Sequence, residues 1–114
     1  MDISEEGLTL DRQWIGLGNN VCGMLSGCRD ASAVAARFVG DGWNSRSSAW
    51  HGYELETSWC QIEIDPIDGP DVLLNGVVDP ARLDDLGRLL SYFGLPYELE
   101  LRNEDNVLVR EIKG

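Results

Sequence analysis

Basic residues are scarce in this chain. Nine Lys and Arg stand against twenty Asp and Glu in 114 residues, and there is one lysine, Lys113, and one histidine, His51. The formal charge of −11 raises the cost of approach to a phosphate backbone or an anionic lipid surface. Direct binding to nucleic acid or to such a membrane is therefore not expected. Long apolar runs are missing too, with no window near the roughly 18 residues that a bilayer-spanning helix requires. The opening Met1 to Asp11, MDISEEGLTLD, places four acids before Arg12 and lacks the basic start of a secretory leader. Cysteine is limited to Cys22, Cys28 and Cys60, an odd number without framework spacing, which fits reduced thiols in a cytoplasmic protein. No repeat, low-complexity tract or linker-like stretch interrupts the chain, so one compact domain over 1–114 is expected, long enough to bury a core without metal or disulfides.

What is present is a set of well-punctuated elements. In Asp79 to Gly94, DPARLDDLGRLLSYFG, Asp79 can cap free amides, Pro80 suits the first helical turn, and Gly94 with Pro96 ends the run. Leu83, Leu86, Leu90 and Phe93 recur at three- and four-residue steps, which predicts an amphipathic helix. The strict alternation of Tyr97 to Arg102, YELELR, followed by Asn103 to Asn106 and then VLVREI, predicts a β-hairpin with one wet face. Asp30 to Gly40 reads as a second, shorter helix. Tyr53 to Ile64 alternates as a strand whose phase shifts near Trp59, as a bulge would cause. Val72 to Val78 contains Asn75-Gly76 and reads either as a tight hairpin or as one strand with a bend. Strands are also expected around Leu8 to Ile15 and Val21 to Leu25. The sum is an α+β fold: a mainly antiparallel sheet of about four to six strands with two helices packed on it.

Motifs that would carry chemistry are weak. Cys22, Cys28, Cys60 and His51 could supply a Cys₃His zinc site by number, but five residues separate the closest pair, where structural sites use two to four. A thiol nucleophile with His51 as base and Asp65 as orienting group is equally nonspecific. Gly16-Leu17-Gly18-Asn19-Asn20 lacks the third glycine and following helix of a dinucleotide loop and reads as a connection. Asp65 to Asp71 holds three carboxylates but not the spacing of an EF-hand. A carboxylate pair such as Glu54 with Glu63 does not by itself mark glycoside chemistry. No catalytic residue, metal or cofactor is assigned.

Charge is instead the uneven feature. The 35 positions between Arg46 and Arg82 contain no basic residue and seven acids: Glu54, Glu56, Glu63, Asp65, Asp68, Asp71 and Asp79. Trp50, Tyr53 and Trp59 lie in the same stretch. Aromatic anchors and a single-sign field together suit docking to an oppositely charged protein, although a charged stretch is also the ordinary form of a solvated face. The expected interface residues are Glu54, Glu56, Glu63, Asp65, Asp68 and Asp71, with Trp59 as anchor. Small, acidic and α+β, the chain has a generic similarity to bacterial immunity and inhibitor proteins, and no motif places it in one such family. The expectation is a noncatalytic domain that covers the active site of a basic enzyme, for example a nucleic-acid- or nucleotide-acting toxin. A competing reading places a small ligand or an active site in the loop Trp43 to Gly52, with Trp43, Trp50 and His51 as its walls. A third uses the C-terminal strand Val107 to Ile112 for self-association, against which Arg110, Glu111 and Lys113 act as edge protection.

Overall fold

The computed structural model describes residues 7–16, 18–28, 30–48, 52–67 and 69–114. Among them the fold is α+β. Seven strands form one antiparallel sheet: β1 (Val21–Leu25), β2 (Asn44–Ser47), β3 (Tyr53–Thr57), β4 (Cys60–Pro66), β5 (Val72–Val78), β6 (Tyr97–Arg102) and β7 (Leu108–Lys113), in the spatial order β2-β3-β4-β5-β1-β6-β7. Two helices, α1 (Ala31–Gly40) and α2 (Leu83–Tyr92), pack on one face, α1 over β2 to β4 and α2 over β6 and β7. No helix among the described residues is long and apolar enough to cross a membrane.

The helices form where their punctuation places them. The Asp30 carboxylate accepts the Ser32 N–H at 2.9 Å, and Ala31, Val34, Ala35 and Phe38 bury one stripe. Asp79 does the same for the Ala81 N–H at 3.0 Å, opening a short 3₁₀ turn (Pro80–Arg82) that runs into α2. Leu83, Leu86 and Leu90 face the sheet, and Gly94 at φ 76° lets the Leu95 N–H return to the Leu90 carbonyl at 3.0 Å. Phe38 of α1 meets Phe93, just past α2, at 5.2 Å between ring centroids and Trp43 at 4.8 Å, and Trp43 meets Trp59 at 5.4 Å, all edge to face. This aromatic chain joins the two helices.

Three expectations need correction, and one pair of alternatives is decided. Tyr53 to Ile64 is not one bulged strand but a hairpin, in which Thr57 pairs with Cys60 around a Ser58-Trp59 turn. The apolar phase shifts because the chain reverses direction. The turn contains no glycine and is held from outside: the Asp11 N–H donates to the Ser58 carbonyl and the Asp79 N–H to the Trp59 carbonyl, each at 2.8 Å. Val72 to Val78 is a single strand. A β-carbon on Gly76 would strike the Gln61 and Ile62 backbone, so this glycine answers a close approach of β4 and not a turn. The stretch Leu8 to Ile15 forms no strand, because its amides at Leu10 and Asp11 bond to the Glu56 side chain and the Ser58 carbonyl instead of to a ladder. Asn44 to Ser47, read as loop, is edge strand β2, a placement that raises the strand total to seven. Asn44 fixes it from the side chain, accepting the Gly7 N–H and donating to the carbonyls of Gly7 and Leu8.

Candidate functional site: the helix-free sheet face

Because side chains alternate along each strand, the residues that do not face the helices share the opposite side. The register sets them in transverse rows. One row runs Arg46, Glu54, Glu63, Asn75, Cys22, Glu100, Glu111, each the cross-strand partner of the next. The next runs Asp65, Leu73, Met24, Glu98, Lys113. A third begins Asn44, Glu56, Gln61, Val77. With Arg102 following Glu100 along β6, these strands carry seven carboxylates on this face against three cations.

The carboxylates form two banks. On one side stand Glu54, Glu63 and Asp65 of β3 and β4, and on the other Glu98, Glu100 and Glu111 of β6 and β7. Between them β5 and β1 present Leu73, Asn75, Cys22 and Met24, the floor of a shallow groove whose rim is Glu98, Glu100 and Glu111. Three interstrand steps separate β4 from β6, about 14 Å. Glu54 and Glu63 sit directly opposite each other, a like-charge pairing relieved because Glu54 takes hydrogen bonds from Arg46 and from Gln61 Nε2, the latter at 3.1 Å. Glu100 accepts from Arg102 at 3.2 Å, and Lys113 Nζ lies 3.9 Å from Glu98 and 3.7 Å from Glu111. Among the described residues no cation lies within 4.0 Å of Glu63 or Asp65.

The sequence-predicted interface residues separate into three groups. Glu54, Glu63 and Asp65 come together in one bank. Glu56 shares their face but is only 7% exposed: residues 7–11 cover it, and its Oε2 accepts the Leu10 N–H at 3.0 Å. Trp59 and Asp71 lie elsewhere. The Trp59 ring packs on Trp43 with the Arg82 guanidinium 4.5 Å from its centroid, and Asp71 accepts the Gly27 N–H at 3.1 Å beyond the start of β5. Asp68 lies outside the described residues. Glu98, Glu100 and Glu111 escaped the sequence reading, although the alternation in YELELR already sends Glu98 and Glu100 to a wet face. For the ligand-loop reading, Trp43 is 4% exposed in the core and unavailable as a wall, while Trp50 and His51 fall outside the described residues.

Thiol chemistry follows burial. The Cys60 thiol is fully enclosed and its ionisation is pushed far up by desolvation; Cys28 is raised as well, by burial first and then by the negative charge of Asp71. Cys22 is half-buried in the groove floor, 3.7 Å from a Glu100 oxygen. Alkylation of the native protein at mildly alkaline pH is expected to modify Cys22 first, Cys28 more slowly, and Cys60 only at the rate of unfolding. Peptide mapping by mass spectrometry checks the order; early labelling of Cys60 would show that its enclosure is not maintained. Among the described residues no group of three or more His, Cys, Asp or Glu is placed to hold a metal ion. Comparison of the chain with protein families, curated proteins and solved structures finds no match.

Proposed function

We propose that this chain is an acidic protein-binding domain that neutralises a basic enzyme by docking its helix-free sheet face over that enzyme's active site, as an inhibitor or immunity-type protein does. The observation that supports it is the placement of the charge: carboxylates drawn from four strands gather on the side of the sheet that the helices leave uncovered. A cationic cleft that binds phosphates meets in such a face a set of anionic oxygens of comparable charge, and the field of the face steers encounter.

Capture from an extract of the source cells at low salt, with elution by rising salt, tests the reading. The expected result is one basic enzyme recovered in near-equal amount that loses activity when recombined with the chain. Failure to recover such an enzyme counts against the proposal. With that partner in hand, Glu63→Gln/Asp65→Asn is expected to slow association by about threefold to tenfold at low salt and to flatten its salt dependence, with a smaller effect on dissociation. Stopped-flow kinetics at two ionic strengths read both quantities, and unchanged association would remove this bank from the interface.

A further inference from the structure

We infer that the strip of sheet between the two carboxylate banks, with its shallow groove along the Glu98, Glu100 and Glu111 side, is a seat for an α-helix of the partner, cationic on both flanks and apolar along the stripe it lays on β5 and β1. The inference rests on the reading that this face binds a basic protein and specifies the element that enters it.

Width is the first argument. The banks on β4 and β6 stand three strand spacings apart, about 14 Å, and an α-helix with its side chains measures about 10–12 Å across. A helix placed between them brings residues from both flanks to both banks at once. An extended segment, about one strand spacing wide, reaches only one. The floor is the second argument. Met24 and Leu73 are register partners at its centre, with Cys22 and Asn75 in the adjoining row, and all four are shorter than or as flexible as the glutamates beside them. Leu73 is 36% exposed, an apolar side chain left in the open at the middle of a charged face. A thioether and a leucine side by side give an apolar helical stripe something to cover, and methionine adapts its shape to what it meets. Along the strands the open floor is two rows long, Leu73 with Met24 and Asn75 with Cys22, and Val77 in the row beyond is buried, so about two turns of the helix rest on it.

Sign decides the occupant. A second copy of the chain brings the same net −11 and the same acidic face, and the chain's own first six residues include Asp2, Glu5 and Glu6. Both are repelled by the banks. A helix with Lys and Arg on either side of a Leu/Ala stripe is complementary to all three strips of the groove.

The test uses three fluorescent peptides of identical composition and about 14 residues. In the first, Lys and Arg flank a Leu/Ala stripe on a stapled helix. In the second, also stapled, the same residues are shuffled so that charge runs all round the helix. The third is unstapled and ordered so that no amphipathic helix can form. Anisotropy at low and physiological salt is expected to show the first binding at least about tenfold more tightly than either control, and its saturation to slow Cys22 alkylation at least tenfold. Glu63→Lys and Glu98→Lys, one in each bank, are each expected to weaken it. Equal binding of all three peptides, weakened alike by both reversals, would overturn the helical seat while leaving a cation-binding face. Absence of binding by every peptide, or indifference to both reversals, would overturn the face itself along with the seat.

Discussion

Replacing Phe38 by alanine is expected to destabilise the protein by about 3–5 kcal/mol, the usual cost of removing a buried phenyl ring. Phe38 is fully buried and stands edge-on to both Trp43 and Phe93, so its ring is the point at which α1, the residues entering β2 and the end of α2 touch. The neighbours it would leave are themselves large and anchored, Trp43 by Trp59 and Phe93 by the closing turn of α2, which limits collapse into the cavity. Against a total stability of about 5–15 kcal/mol for a typical domain, this is about a fifth or more of the folding free energy. Urea denaturation should show a lower midpoint with an unchanged slope. Tyr92 gives the comparison: it also lies beside Phe93, at 5.9 Å, but is 82% exposed, and Tyr92→Ala is expected to cost under about 0.5 kcal/mol. A Phe38→Ala loss below about 1 kcal/mol would mean that the aromatic chain does not join the helices energetically.

The elements that could be read from sequence are those whose causes are local. A capping aspartate, a proline in the first turn, a leucine every three or four residues and a terminal glycine lie within one window, and α2 begins and ends within a few residues of where they indicate. The same holds for the hairpin of β6 and β7. The misread elements depend on partners far along the chain. β2 is a strand because β3 pairs with it and because Asn44 reaches Gly7 and Leu8; Asn-Ser-Arg-Ser has no strand pattern of its own. Asn75-Gly76 carries a strong local turn signal, yet the approach of the β4 backbone makes the glycine a spacing requirement within a straight strand.

The candidate site divides in the same way. Glu54, Glu63 and Asp65 belong to one hairpin, so their common side follows from alternation once the turn is placed. The second bank was concealed by topology: β1, from the start of the chain, inserts between β5 and β6 and brings Glu98, Glu100 and Glu111 to the same groove. Composition could not distinguish a carboxylate that faces a partner from one that holds the fold. Glu56, Glu63 and Asp71 are equivalent in the run of acids between Arg46 and Arg82, whereas in the fold one is covered, one is open and one clips a loop.

Glu56→Ala is expected to cost about 2–3 kcal/mol, because this carboxylate is the clasp that holds residues 7–11 against β3. Its Oε2 accepts the Leu10 N–H at 3.0 Å and its Oε1 accepts from Arg46 at 3.1 Å, in a position that Leu10, 6% exposed, helps to cover. Alanine removes both charge-assisted bonds and leaves the Leu10 amide without its acceptor, so hydrogen exchange at residues 7–11 should rise together with the loss of stability. Glutamine retains an amide oxygen for Leu10 but turns an NH2 toward the Arg46 guanidinium, so it loses the charge and the Arg46 bond, while Arg46 keeps Glu54; Glu56→Gln is therefore expected to cost about 1 kcal/mol, less than alanine, and to hold the segment in place. The pair of variants also separates fold from interface. If the open carboxylates steer a basic partner, Glu63→Gln slows association while Glu56→Gln, one charge fewer on the same face but beneath the covering segment, slows it much less. Equal slowing would mean that the face acts through its total charge and not through where its carboxylates stand, and that the two banks are not distinct elements of the interface.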